Sequence, residues 1–166
     1  MYVDISSIDR NLKRVTFVKE YERDVAPGRA QQVIEEGDVL VSTVRPNLNA
    51  VAVVENCSNI QRIASTGFCV LRGDDSGLSK YLYYFVQSER FISELVAVSE
   101  KASYPSVTDS VVKNVQIPLR SLSVQESVVA KLDEARGRCD KLKVAAERGL
   151  RAAENLRKAI LAEAFE

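Results

Sequence analysis

From Ser123 to Phe165 the chain contains no proline and only two glycines, Gly137 and Gly149. Alanine, glutamate, lysine, arginine and leucine dominate the stretch, and all are strong helix formers. Ser123-Val124-Gln125-Glu126 reads as a capping box at its start. The serine oxygen can accept from the Glu126 amide while the Glu126 side chain reaches back to the Ser123 amide. The spacing predicts one helix of about 43 residues, roughly 65 Å long at 1.5 Å per residue. A globular domain of the remaining ~120 residues has a radius of gyration of roughly 14 Å, so its diameter is near 35 Å. Much of the helix is therefore expected to project beyond such a domain, where its apolar residues need a partner.

Those apolar residues follow a heptad. Leu132, Cys139, Ala146, Ala153 and Ile160 recur every seventh position, and Val128, Ala135, Leu142, Gly149 and Leu156 form the interleaved series. A stripe at 3.5-residue spacing reads as a coiled-coil seam. A long helix that covers its own domain is the competing reading. The middle of the seam is small, at Cys139, Ala146, Gly149 and Ala153, which lets two backbones approach closely. The other positions mix Lys and Arg with Asp and Glu, a pattern that needs nothing more than a solvated face.

Upstream the character differs. Val15–Val18, Val39–Ser42, Val51–Val54, Ile60–Ala64 and Phe68–Leu71 are short strand candidates separated by turn residues such as Glu36-Gly37-Asp38 and Ser65-Thr66-Gly67. Gly73-Asp74-Asp75-Ser76-Gly77 reads as a loop. Ser79 can cap a following helix, on which Leu82, Phe85, Val86, Ile92, Leu95 and Val96 share one face. A polar loop follows at Glu100–Ser106, then a short strand at Val115–Ile117 ended by Pro118. The fold class is α+β. A mainly β domain with packed helices fills residues 1–122, and the long helix fills 123–166.

Several functions are excluded by what is missing. Lys plus Arg and Asp plus Glu both total 23, so any contact with nucleic acid must use a local patch. The chain has no histidine, which removes the commonest general base and the commonest zinc ligand. The three cysteines, Cys57, Cys69 and Cys139, are odd in number and lack CxxC spacing, so they read as reduced thiols of a cytoplasmic protein. No signal peptide follows Met1, and no apolar run approaches the ~18 residues of a membrane span. There is no phosphate loop, no GxSxG elbow, no HExxH and no methyltransferase signature. Glu35-Glu36 and Asp74-Asp75 beside glycines are turn residues. No catalytic constellation, metal site or cofactor is expected.

The stretch Gly37 to Val54, "GDVLVSTVRPNLNAVAVV", places Arg45, Asn47 and Asn49 between two strand-like runs. It reads either as a solvated turn or as a loop presenting hydrogen-bonding groups to a polar partner.

That stretch begins a series. "IASTGFCVLR" follows at 63–72, "YLYYFVQSERF" at 81–91, "ASYPSVTDSVVKNVQIPLRSLSVQESVVAKLD" at 102–133, and "LRKAILAEAFE" at the end. In this order, over nearly the whole chain, the motifs resemble the specificity subunit of type I restriction-modification systems. The resemblance implies a target recognition domain that reads half of a split site in double-stranded DNA. It also implies a long helix that pairs antiparallel with a second one, acts as a ruler, and docks methyltransferase and restriction subunits. S-adenosylmethionine is then expected only on the partner methyltransferase. The family's usual subunit carries two recognition domains and two helices. This chain carries one of each, so it looks like a half-subunit that forms an antiparallel homodimer. It starts at Met1-Tyr2-Val3-Asp4-Ile5, where relatives usually have an extra N-terminal segment, so a truncated or naturally short form is expected. By resemblance, Thr43, Arg45, Asn47 and Asn49 are candidate DNA contacts: arginine suits guanine O6/N7 or phosphate, and asparagine suits adenine N6/N7. Lys101, Ser103 and Tyr104 form a second candidate loop. Arg10, Lys13 and Arg14 form a basic cluster suited to phosphates or merely solvated. The competing functional readings are a coiled-coil scaffold without a DNA role and an enzyme.

Overall fold

A computed structural model describes residues 1–55, 61–73, 76–99 and 105–165. The chain divides into two compact units, Met1–Glu126 and Ser127–Glu166.

The first unit is built around strand β5, Val39–Ser42, with β6 (Val51–Val53) and β8 (Phe68–Leu71) antiparallel on either side. All four residues of β5 are buried. A continuous apolar run with no polar alternation is what a strand covered on both faces requires. Successive side chains leave opposite faces of the sheet. Val39 and Val41 enter one cluster with Cys69, Tyr83, Phe91, Leu95 and Val112, while Leu40 enters another with Val3, Ile8, Ile34, Ala64 and Phe68. The second cluster is walled by a three-stranded sheet. There β7 (Arg62–Ser65) lies between β1 (Tyr2–Val3), which runs parallel to it, and β4 (Ala30–Ile34), which runs antiparallel. A hairpin of two-residue strands, β2 (Ile8–Asp9) and β3 (Arg14–Val15), completes the strands among the described residues.

Gly37, with φ of 88°, makes the turn into β5. A side chain would be strained there, and the next residue uses the geometry. Asp38 is 1% exposed, and its carboxylate accepts from the Glu35 amide at 2.8 Å and from Arg72 Nε and Nη2 at 2.7 and 2.8 Å. The Glu-Gly-Asp turn is thereby tied to the end of β8.

The helical region departs from expectation in four places. Instead of one helix from Ser79 there are two, α1 (Ser76–Phe85) and α2 (Glu89–Ser99). The chain breaks at Val86-Gln87-Ser88, and the Ser88 hydroxyl accepts from the Phe91 amide at 3.3 Å as the cap of α2. Ser79 lies inside α1 and is buried. Val115–Ile117 forms no strand. The valines before it belong to α3 (Asp109–Asn114), which Thr108 caps by accepting from the Val111 amide at 3.4 Å, and Val115 ends that helix. The α+β character stands, and the strand candidates are strands at 15, 39–42, 51–53, 62–64 and 68–71, whereas Phe17 and Val18 are not.

The long helix α4 spans Leu122–Phe165, 44 residues. The Val124 and Gln125 amides both donate to Ser121 O at 3.0 Å, so Ser121 precedes the helix and Ser123 lies within its first turn. The capping residue is thus two positions earlier than the Ser123–Glu126 box predicts. Among the described residues, no helix is long and apolar enough to cross a membrane.

Candidate nucleic-acid interface

The segment joining β5 to β6 is held by backbone on both flanks. The Thr43 amide and hydroxyl both donate to Gly67 O, at 2.9 and 3.0 Å, and the Val107 amide donates to Thr43 O at 2.9 Å. Val44 pairs with Ser106, and the Arg45 amide donates to Pro105 O at 2.7 Å. The chain then makes a single 3-10 turn, Pro46–Leu48, closed by bonds from the Leu48 amide to Arg45 O and from the Asn49 amide to Pro46 O. Arg45 and Asn49 flank this turn in the left-handed conformation, with φ of 50° and 43°. Lys13, in the β2–β3 hairpin, has φ of 54°. Among the described residues these are the only non-glycine residues with positive φ. Such a backbone costs on the order of 1–3 kcal/mol per residue and persists where its surroundings over-determine it, often at functional sites.

All three strained residues sit at one place. Ile8, Asp9, Arg10, Asn11, Lys13, Asn47, Leu48 and Asn49 line one concavity. A second, lined by Ile5, Ser6, Ile8, Arg10, Val44, Arg45, Leu48 and Ala50, shares Ile8, Arg10 and Leu48 with it. The β2–β3 hairpin and the β5–β6 turn, some 30 residues apart in sequence, thus form a single surface. Arg10, Arg45 and Asn47 are exposed on it and Lys13 is half-buried. Burial holds the Lys13 ammonium below its usual pKa, and repulsion from Arg10 adds to the effect.

Not every candidate residue faces outward. The Thr43 side chain is buried and committed to Gly67. Asn49 is 9% exposed; its Nδ2 donates to Val86 O at 2.9 Å, and its Oδ1 accepts from Lys13 Nζ at 3.0 Å. Neither projects from the turn as the sequence reading has it, because the groups they bind lie 24 and 37 residues away. Arg14 lines a separate cleft with Phe17, Val53, Glu55 and Arg62, so the Arg10–Lys13–Arg14 cluster splits. Lys101, Ser103 and Tyr104 lie outside the described residues, but Pro105–Val107, which follow them, are zipped to Thr43–Arg45. Ile8 and Leu48, which line both concavities, carry no polar signature by which sequence could single them out.

On α4, all ten seam positions from Val128 to Ile160 are exposed. Leu142, Leu156 and Ile160 are 69%, 63% and 55% exposed. Nothing lies within 4 Å of where a Cβ would sit on Gly149 among the described residues. Among those residues there is also no cluster of histidine, cysteine or acidic groups that could hold a metal ion.

No protein-family model matches the chain, and no curated protein matches it in sequence. Solved structures do. A chain from a structure concerning complex assembly and conformational transition of the type I R-M system is 35% identical, with a TM-score of 0.79 over 99% of the present chain. The HsdS subunit from Thermoanaerobacter tengcongensis is 36% identical, with a TM-score of 0.74 over 85% of it. The chain is a relative of type I restriction-modification specificity subunits. It spans 43% and 36% of those two proteins, less than half of either. The resemblance to HsdS covers both units, so the groove between the β2–β3 hairpin and the β5–β6 turn and the exposed stripe of α4 belong to a specificity-subunit fold.

Proposed function

We propose that the chain is a non-catalytic, half-sized specificity subunit that reads double-stranded DNA with the face bearing Arg10, Arg45 and Asn47. The observation that carries the reading is the convergence of two cationic segments, distant in sequence, on one concave surface of an HsdS-like fold. Arg45 suits guanine or phosphate, Arg10 suits phosphate, and Asn47 suits adenine. The exposed stripe of α4 pairs antiparallel with that of a second copy, the wide-open Leu142 and Leu156 supplying apolar area. Methyltransferase and restriction subunits dock on the assembly in the cytoplasm, and S-adenosylmethionine is bound by the methyltransferase.

Two identical chains paired about a two-fold axis read inverted half-sites. A helix of 44 residues is about 66 Å long, and duplex DNA rises about 3.4 Å per base pair, so the half-sites lie roughly one to two helical turns apart with an unread spacer. Selection of bound sites from random DNA tests this. A split palindrome of fixed spacer is the expected outcome. Deleting one heptad, Gly149–Asn155, keeps the seam in phase and shortens the ruler by about 10 Å, so it should change the preferred spacer. An uninterrupted asymmetric consensus, or indifference to spacer length, would exclude the two-fold reader.

A further inference from the structure

Lys13 and Asn49 look, by residue type, like two more groups offered to DNA. Their geometry points elsewhere. Lys13 Nζ donates to both oxygens of Asn49, the backbone carbonyl at 2.6 Å and Oδ1 at 3.0 Å. Asn49 Nδ2 donates to Val86 O at 2.9 Å, and Tyr83 Oη donates to Lys13 O at 3.0 Å. Tyr83 and Val86 lie three residues apart at the end of α1 and are 3% and 1% exposed. The four residues therefore close a ring anchored in the core. Both ends of the Asn49 amide are used, and Lys13 Nζ is aimed inward at the turn rather than outward to solvent. The ring holds Lys13 and Asn49, two of the three left-handed residues. The third, Arg45, is fixed by its amide bond to Pro105 O and by accepting from the Leu48 amide.

We propose that Lys13 and Asn49 are positioning residues. The ring Tyr83–Lys13–Asn49–Val86 holds the Pro46–Leu48 turn in one conformation, so that Arg45 and Asn47 meet DNA already arranged, and neither Lys13 nor Asn49 touches DNA itself. This rests on the reading of the face as DNA-binding. A turn held rigid before binding loses less conformational freedom on binding, which raises affinity without a further contact.

The test uses the full chain and three variants. Lys13→Met removes the ammonium; Tyr83→Phe removes one hydroxyl; Asn49→Gly removes the side-chain bonds while tolerating positive φ. Thermal melting checks that each folds. Hydrogen exchange at the Leu48 and Asn49 amides should speed up about tenfold or more in each variant, while Leu40 and Val70 in the central sheet stay unchanged. Affinity is then measured against salt with a labelled random-sequence duplex of about 40 base pairs, several helical turns long. Lys13→Met should bind about tenfold more weakly at every salt concentration with the parent's slope, because it removes no phosphate contact. A slope lower by about one would make Lys13 a phosphate contact and overturn the assignment. Should the parent bind and the variants leave exchange at Leu48 and Asn49 unmoved, the positioning role alone falls. If the parent binds no duplex even at low salt, the DNA reading falls and the positioning role falls with it.

Discussion

If α4 pairs with a second copy as proposed, replacing Leu142 and Leu156 together by aspartate should convert that dimer to a monomer. In the single chain these side chains are 69% and 63% exposed. Fully burying a leucine contributes roughly 1.5–3 kcal/mol, so covering the exposed two-thirds contributes about 1–2 kcal/mol for each. A two-fold pair contains four such side chains, so together they contribute about 4–8 kcal/mol of the association energy. Bringing two proteins together costs an estimated 4–15 kcal/mol, so the pair is marginal without them. At about 1.4 kcal/mol per tenfold, their loss alone weakens the dissociation constant by roughly three to six orders of magnitude. Four buried, unpaired carboxylates add a further penalty in the same direction. Sedimentation equilibrium over a range of concentrations is the assay. Val144→Asp is the control, since Val144 is 45% exposed and its position in the heptad puts it opposite the seam. A double variant that sediments like the parent, or a Val144→Asp variant that dissociates as completely, would refute the seam.

Three further outcomes follow from the first unit. Arg45→Gly, which relieves the φ of 50° where alanine would not, should leave the melting temperature near that of the parent and weaken DNA binding by about 1–3 kcal/mol; unchanged affinity at low salt would return the turn to a solvated one. Asp38→Ala should destabilise the fold by about 2–4 kcal/mol in urea unfolding, because Asp38 is 1% exposed and accepts three bonds, two of them from a guanidinium; a loss below about 1 kcal/mol would show that the Glu-Gly-Asp turn does not depend on it. In the folded chain at pH 8, peptide mapping after alkylation should find Cys139 modified and Cys69 protected, since burial and the nearby Asp109 push the Cys69 thiol up to about 11. The unfolded chain, with an ordinary thiol near 9.0, ionises first, so the contribution of Cys69 to stability is intact below pH 9 and is lost as pH rises toward 11; equal alkylation of both thiols in the folded state would contradict this.

What the sequence made legible was whatever depends on near neighbours. The run Val39-Leu40-Val41 announced a strand, and the proline-free stretch from Ser123 announced α4, because apolar runs and helix propensity are local. Strands β1 and β2, two residues each, carry no period to detect; they exist because β7 and β3 lie alongside. The break between α1 and α2 had a local mark, Ser88-Glu89, but the apolar face continues across it, and periodicity alone joined the two helices. The α+β class was legible, and so was the outward placement of Arg45 and Asn47. The inward placement of Thr43 and Asn49 was not, since it is decided by the carbonyls of Gly67 and Val86.

The left-handed backbone at Lys13 and Arg45 is harder still, because neither residue favours it and each carries a steric cost that its own side chain cannot repay. Bonds from distant segments, Tyr83 Oη to Lys13 O and the Arg45 amide to Pro105 O, add to the local ones from the Lys13 amide to Asp9 O and the Leu48 amide to Arg45 O. The bonds from Lys13 Nζ to Asn49 tie the hairpin that carries Arg10 to the turn bearing Arg45. The strain and the surface therefore have one origin, in the docking of the β2–β3 hairpin and residues 105–107 against the β5–β6 turn. A variant that lets either segment drift should relax the backbone and scatter the cations together.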